Sequence, residues 1–341
     1  MSVKIHDDIF SKCLNYDSMY KAYINTKRGK VYKPEVVIFN MKLEYNIKKI
    51  VADLEDSSYC FGEYKKFYIY EPKKRCVLSA PFRDRIVHTW YVQNFLEPYF
   101  VPSFIPTTYA CLKGRGMHKC ALDMQKMIYT CSYLKEYSNA YILKMDISKY
   151  FNNINRQVLY TYISKKIYDK KFLELTKKIL NTSSKFDDMP GIGLPIGNYT
   201  SQMFANIYLD KLDKYIIHTL KCKYVSRYMD DVICIFKNKL EAKDALKRID
   251  IFLDNNLGLK LNPKTNIFKL SQGVNYCGYK INKYGLRLRN CGKRKLKNKI
   301  KSINIMLKSG KISIKEAKKM LAGNMGYAHI ANLSNIFNYK L

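Results

Sequence analysis

Acidic side chains are scarce in this 341-residue sequence, where 28 Asp and Glu stand against 61 Lys and Arg, a formal net charge of +33. An AT-rich coding sequence would enrich Lys, but it would enrich Glu too, and only 10 Glu are present. The imbalance therefore points to a polyanionic partner. Nucleic acid is the first choice, because each neutralised phosphate releases counterions. An acidic membrane surface or protein fits less well, since no single basic amphipathic helix carries the excess. Also missing is any run of the ~20 apolar residues that a membrane span needs, and Met1–Phe10 has no signal-peptide core. The ten cysteines include no CxxC pair, and Cys111, His118 and Cys120 have no second ligand pair after them. Thiolate metal binding is thereby disfavoured, and most cysteines are expected to be small buried hydrophobes kept reduced in a cytosol. There is no repeat of 20–50 residues and no Pro- or Ser-rich linker. What is present is a chain 47% hydrophobic and 14% aromatic, long enough to bury a core without a metal or disulfide staple.

Hydrophobic periodicity predicts helices over 9–23, 38–54, 82–96, 117–134, 156–166, 170–181, 200–220, 240–255 and 293–341. Strands are expected at 64–70, 75–80, 140–145, 223–228 and 232–236, with a hairpin-like region over 265–281. Gly258, Pro263 and Gly310 are the natural breakpoints. Strands mixed with helices in this order predict an α+β core with helical flanks.

Chemistry concentrates at Tyr228-Met229-Asp230-Asp231, set between apolar strands. Adjacent carboxylates at a strand turn repel, and burial raises their pKa unless a cation is present. A hard divalent ion with oxygen ligands resolves that conflict. Asp146 ends another apolar strand and can supply a third carboxylate, enough for two metals ~3.5–4 Å apart and in-line phosphoryl transfer. The tetrad alone is weak evidence, since 30 Tyr and 18 Asp make chance matches common and an exposed acidic turn is the plain alternative.

Its company is more specific. Leu143-Lys144-Met145-Asp146-Ile147-Ser148-Lys149-Tyr150-Phe151 resembles the first catalytic motif of reverse transcriptases. Gly193-Leu194-Pro195-Ile196-Gly197-Asn198-Tyr199-Thr200-Ser201-Gln202 resembles the loop and helix that border their templating base. Tyr228–Asp231 resembles their metal-binding hairpin, Leu261-Asn262-Pro263-Lys264-Thr265 their lysine motif, and Asn275-Tyr276-Cys277-Gly278-Tyr279 their primer grip. Lys73-Lys74-Arg75 through Pro81-Phe82-Arg83-Asp84-Arg85 resembles their basic fingers hairpin. Order and spacing agree from about residue 60 to 285. Retroviral and intron enzymes of this kind usually have Gln before the loop glycine and Pro after the serine, where this chain has Ile196 and Gln202. Ile-Gly-x-x-x-Ser-Gln is instead similar to reverse transcriptases of diversity-generating retroelements. So are Phe82–His88, Thr108-Tyr109-Ala110-Cys111 and the tail Gly326-Tyr327-Ala328-His329.

The resemblance implies a right-hand polymerase: an N-terminal helical extension (1–60), fingers and the start of the palm (61–139), palm (140–285, with 155–190 contributing to the fingers) and a helical thumb (286–341). It implies Asp146, Asp230 and Asp231 as catalytic metal ligands, with the carbonyl of Ile147, for two Mg²⁺ ions or substituting Mn²⁺. Arg75 and Lys73 would meet the incoming dNTP, since guanidinium pairs bidentately with phosphate oxygens. Phe151 would exclude a ribose 2′-hydroxyl, with Tyr150 the alternative one position earlier and a plain core aromatic the bland one. Ile196, Gly197 and Gln202 would border the template base pair. Lys264 would protonate the leaving pyrophosphate, although an ordinary surface lysine fits that segment almost as well. Tyr276 and Gly278 would position the primer end, and Lys293, Arg294, Lys297 and Lys301 would follow the duplex backbone.

The expected partners are a template RNA, its cDNA, dNTPs and a small basic accessory protein, without a membrane, in the cytoplasm of a bacterium or from a phage. The expected activity is error-prone RNA-directed DNA synthesis, with misincorporation at template adenines. Two alternatives stand beside it: an antiphage-defence reverse transcriptase, and a non-catalytic RNA-binding scaffold, which the full carboxylate set disfavours. The lack of residues after the thumb for an RNase H or endonuclease domain weighs against an intron-type or retrovirus-like enzyme.

Overall fold

The computed structural model describes residues 8–70, 74–186 and 189–331. The elements run α1 (Ile9–Cys13), α2 (Tyr16–Lys27), α3 (Pro34–Met41), α4 (Leu43–Glu55), β1 (Lys65–Ile69), β2 (Arg75–Ser79), α5 (Phe82–Tyr91), α6 (Glu97–Phe100), α7 (Met117–Tyr133) and β3 (Tyr141–Met145). They continue with α8 (Tyr150–Asn153), α9 (Arg156–Ser164), α10 (Lys170–Asn181), α11 (Tyr199–Lys214), β4 (Tyr224–Tyr228), β5 (Asp231–Phe236), α12 (Lys239–Leu257) and β6 (Asn266–Lys269). Last come β7 (Val274–Tyr276), β8 (Tyr279–Asn282), β9 (Gly285–Leu288), α13 (Asn290–Lys308) and α14 (Ile314–Ile330). All strand pairs are antiparallel, which makes the chain α+β.

The chain forms two compact units. The first comprises 1–105, 147–214 and 250–261. Its core is aromatic: Trp90, Tyr91, Phe95, Phe10 and Phe172 are buried, with Tyr91 and Phe172 stacked at 5.3 Å and Trp90 edge-on to Phe95 at 5.2 Å. Each such ring contributes about 1.5–3 kcal/mol by leaving water. Asp169 serves two elements at once, capping α10 through the Phe172 N–H (2.9 Å) and accepting the Phe10 N–H (2.9 Å) that opens the chain's first helix.

The second unit comprises 106–146, 215–249 and 262–341. Its four-stranded sheet has the order β4-β5-β3-β6. Val232–Phe236 is buried throughout, as a central strand requires, and α7 covers the sheet with Cys120, Ala121, Met124 and Ile128. A separate three-stranded sheet, β7-β8-β9, packs Tyr276, Tyr279 and Ile281 into the same core, together with Leu296 of α13.

Three expectations need correction. The 265–281 region is not one hairpin: β6 pairs with β3, and Gly273 then turns the chain at φ +66° into the separate sheet. A Cβ there would lie 2.3 Å from the Ile281 carbonyl oxygen, so only glycine permits the turn. The 200–220 helix is regular only to Lys214 and loosens into a π-type turn at Tyr215–Thr219. Of the ten cysteines, only Cys120, Cys131, Cys222 and Cys234 are fully buried, and all ten are free thiols. Among the described residues no helix is long and apolar enough to cross a membrane.

Candidate active site

The catalytic-type hairpin lies in the second unit. Tyr228 pairs with Asp231 across a two-residue turn, Met229-Asp230, and Met229 takes a left-handed conformation (φ +59°) that a side-chain-bearing residue adopts at a cost. Two features hold it. The carbonyl of Met229 accepts a hydrogen bond from the guanidinium of Arg227 (3.1 Å), which is buried completely and also donates to Thr108 Oγ1 (3.4 Å). The backbone of Arg227 is bonded on both sides to the 107–109 segment, at 2.9 and 3.0 Å.

β3 brings the third carboxylate. Met145 pairs with Val232, so the next step along each strand sets Asp146 across from Asp231. Asn262 fixes Asp146 from the other side, its N–H donating to the Asp146 carbonyl (2.7 Å) and its Nδ2 to Oδ2 (3.0 Å). Burial, and then the neighbouring carboxylates of Asp146 and Asp231, push the Asp230 carboxyl up to about 6. Burial raises Asp231 too, against the opposing pull of Lys144. The Lys144 ammonium donates to Asp231 Oδ2 at 2.8 Å, while Asp231 Oδ1 is buried without a hydrogen-bond partner.

These atoms answer whether the residues suit a divalent ion. An unsatisfied buried carboxylate oxygen, and a carboxyl destabilised as an anion by two like neighbours, are what a hard cation would relieve. The donor set fits. Among the described residues, however, no three acidic, His or Cys side chains are gathered into a preformed cage. Asp146 and Asp230 face one another, whereas Asp231 is engaged by Lys144.

The other expected site residues fall as follows. Tyr276 is buried, its hydroxyl donating to the Asp231 carbonyl (3.3 Å) and accepting from Ser226 Oγ (3.3 Å). It is tied to the hairpin through that carbonyl and is 1% exposed. Gly278 is exposed at φ +85°, and a Cβ there would touch Tyr327 of α14 at 3.9 Å. The Lys264 side chain is exposed; its backbone N–H meets Asn262 Oδ1 (3.0 Å). Arg294, Lys297 and Lys301 are exposed on α13, with Lys293 partly buried.

In the first unit, Arg75 opens β2 and is exposed; Lys73 lies outside the described residues. Tyr150 is buried with its hydroxyl donated to the Ala205 carbonyl (2.6 Å), whereas Phe151 is half-buried. The Phe151 carbonyl accepts the Leu194 N–H (2.8 Å), joining α8 to the glycine-rich loop. Ile147 is buried and bridges to Leu261. The Ile196 carbonyl accepts the Leu78 N–H (3.0 Å), and a Cβ on Gly197 (φ +130°) would stand 2.8 Å from the Leu78 carbonyl oxygen. The loop thus presses directly on β2. Gln202 alone is partly exposed along 200–210, an otherwise buried stretch of α11.

Sequence reasoning missed Lys144, Arg227 and the side-chain role of Asn262. Strand alternation could have found the first, because residues two apart share a face and Lys144 stands two before Asp146. Arg227 is signalled by a charge inside an otherwise buried strand end, where it must be paired.

The family described as reverse transcriptase (RNA-dependent DNA polymerase) matches residues 71–281. The group II intron-encoded protein LtrA of Lactococcus lactis is 25% identical, over 86% of this chain and 60% of its own length. The putative COX1/OXI3 intron 2 protein of Saccharomyces cerevisiae is also 25% identical, over 45% of this chain and 25% of its own. The chain thus spans between a quarter and three-fifths of the length of these curated relatives. Among solved structures, apo telomerase from Candida tropicalis aligns with a TM-score of 0.45 and 15% identity, over 67% of this chain and 48% of that one. Because the family match takes in more than half of the sequence, with Asp146 and the Asp230-Asp231 turn inside it, this chain belongs to the reverse transcriptase family.

Proposed function

We propose that the protein is an RNA-directed DNA polymerase whose phosphoryl transfer takes place at Asp146, Asp230 and Asp231. The observation that carries this reading is the strained, half-buried hairpin turn that holds Asp230 beside Asp146 with a buried, unsatisfied Asp231 oxygen. When bound, two Mg²⁺ or Mn²⁺ ions would supply Lewis-acid stabilisation of the charge developing on the phosphoryl oxygens. The three aspartates would hold them, with the Ile147 carbonyl as a further ligand. Arg75, with Lys73, binds the triphosphate; Lys264 donates the proton to pyrophosphate; Phe151 excludes the 2′-hydroxyl. Its half exposure favours Phe151 over the buried Tyr150 for that task. Gly278 serves the primer end directly, and Tyr276 serves it through the hairpin. α13 follows the duplex with Lys293, Arg294, Lys297 and Lys301. In this reading 1–60 is an N-terminal extension, 61–139 fingers and early palm, 140–285 palm and 286–341 thumb.

The test is Asp230→Ala in primer extension on an RNA template. Loss of one such carboxylate removes several kcal/mol of transition-state stabilisation, so extension falls at least ~10³-fold while RNA affinity holds. Robust extension by a folded variant would end this assignment.

Within the family we infer the diversity-generating type, assisted by a small basic accessory protein. The supporting feature is Ile196, whose side chain offers apolar contact where a glutamine could hydrogen-bond near the templating nucleotide. One such bond is worth ~0.5–1.5 kcal/mol, so Ile196→Gln should lower misincorporation at template adenines about 2- to 13-fold. Deep sequencing of cDNA from both proteins reads this directly. Accurate copying of adenine by the unaltered enzyme would favour an antiphage role.

A further inference from the structure

One charge inside the carboxylate cluster has no part in the proposed chemistry. Lys144 reaches from β3 between two elements, donating to Asp231 Oδ2 and to the Asn275 carbonyl of β7, both at 2.8 Å. Its ammonium lies 5.4 Å over the ring of Tyr276, whose hydroxyl holds the Asp231 carbonyl. An ammonium is a compact donor set with one positive charge, and here it satisfies one oxygen of Asp231 and leaves the other bare.

We propose that Lys144 is a built-in cation that competes with divalent metal for Asp231, and so sets how tightly the carboxylate cluster binds metal before any substrate arrives. The inference rests on the metal-binding reading of the aspartates. A purely structural brace would act in the opposite direction: removing it would let Asp231 wander and weaken metal binding. A competing charge, when removed, leaves three carboxylates with no counterion, and metal binding tightens. The link to Asn275 gives the competition a second consequence. Once released from Asp231, the Lys144 ammonium would keep its bond to the Asn275 carbonyl, so occupancy of the cluster would be felt at the strand leading to Cys277-Gly278.

The experiment is a Mn²⁺ titration of the full chain followed by electron paramagnetic resonance, without nucleotide or nucleic acid. Lys144→Met should bind Mn²⁺ about tenfold more tightly than the unaltered protein, and Lys144→Arg should stay close to it. In an Asp231→Asn background the Lys144→Met effect should vanish, which isolates the pair. Lys144→Gln, which keeps a donor for Asn275, replaces the Met variant if that one melts early. Equal or weaker Mn²⁺ binding by whichever uncharged variant melts normally overturns the proposal. Primer extension is measured separately: an unaltered protein that binds Mn²⁺ with this order of affinities yet extends nothing would refute the polymerase reading and leave the role of Lys144 standing.

Discussion

Two antiparallel hairpins of this chain are built on opposite plans. The β4–β5 hairpin is sunk in its unit: β5 is buried from Val232 to Phe236, and its turn is held by a buried arginine. The β1–β2 hairpin buries almost nothing, with every residue of β1 exposed and Leu78 of β2 its one buried side chain. Lys65 and Lys66 open β1 ahead of Phe67, Tyr68 and Ile69, which are exposed together with Tyr70, and the ammonium of Lys74 lies 4.8 Å over the Tyr68 ring. One hairpin spends its contacts on fixing two carboxylates. The other, in its described residues, leaves one strand exposed and is held through Leu78, whose side chain packs with Tyr64 and Ala80 and whose N–H donates to the Ile196 carbonyl. Precision and adaptability are thus separated by burial, within a single fold element type.

Substitutions can break that contrast from either side. The largest effect is expected from Arg227→Met. It removes the charged hydrogen bond that fixes the Met229 carbonyl and the contact to Thr108 Oγ1, at about 1.5–3 kcal/mol for the charged bond. The melting temperature should fall by several degrees and kcat by about 10²-fold, with KM for dNTP little changed; calorimetry and steady-state kinetics read both. Next is Arg75→Ala on the exposed hairpin: if Arg75 makes the proposed phosphate contact, losing that charge-assisted bond of ~1.5–3 kcal/mol should raise KM for dNTP roughly 10- to 100-fold and leave melting unmoved. Smallest is Tyr68→Ala. If its ring stacks on single-stranded template, affinity measured by fluorescence anisotropy should drop about fivefold, near the lower end of base–aromatic stacking. A drop in melting temperature for either exposed variant would erase the distinction between the two hairpins.

Much of this is legible in the sequence. The strand–turn–strand around Asp230 and Asp231, the apolar strand before Asp146 and the glycine-rich loop all follow from local pattern, because burial on both faces leaves long apolar runs. What the pattern could not give is pairing at a distance. Nothing in the spacing of 265–281 says that β6 joins β3 while β7 starts another sheet. Nor does sequence reveal that Lys144 is turned onto Asp231, since a lysine in a strand ordinarily reaches for solvent. Tyr276 shows the same limit: nothing in the motif says that this aromatic is buried with its hydroxyl on the Asp231 carbonyl.

The close approach of residue 197 to β2 bears on heritable variation. At 197 any side chain meets the Leu78 carbonyl oxygen, so that position is closed to mutation whatever selection asks. At 196 the backbone is committed but the side chain is only partly buried, and many residues fit without disturbing the hydrogen bond to Leu78. A lineage exploring the accuracy of its copying would therefore find one locked site and one open site side by side. If residue 196 governs copying accuracy as proposed, single substitutions there would give an error-prone enzyme and a faithful one a short evolutionary path between them.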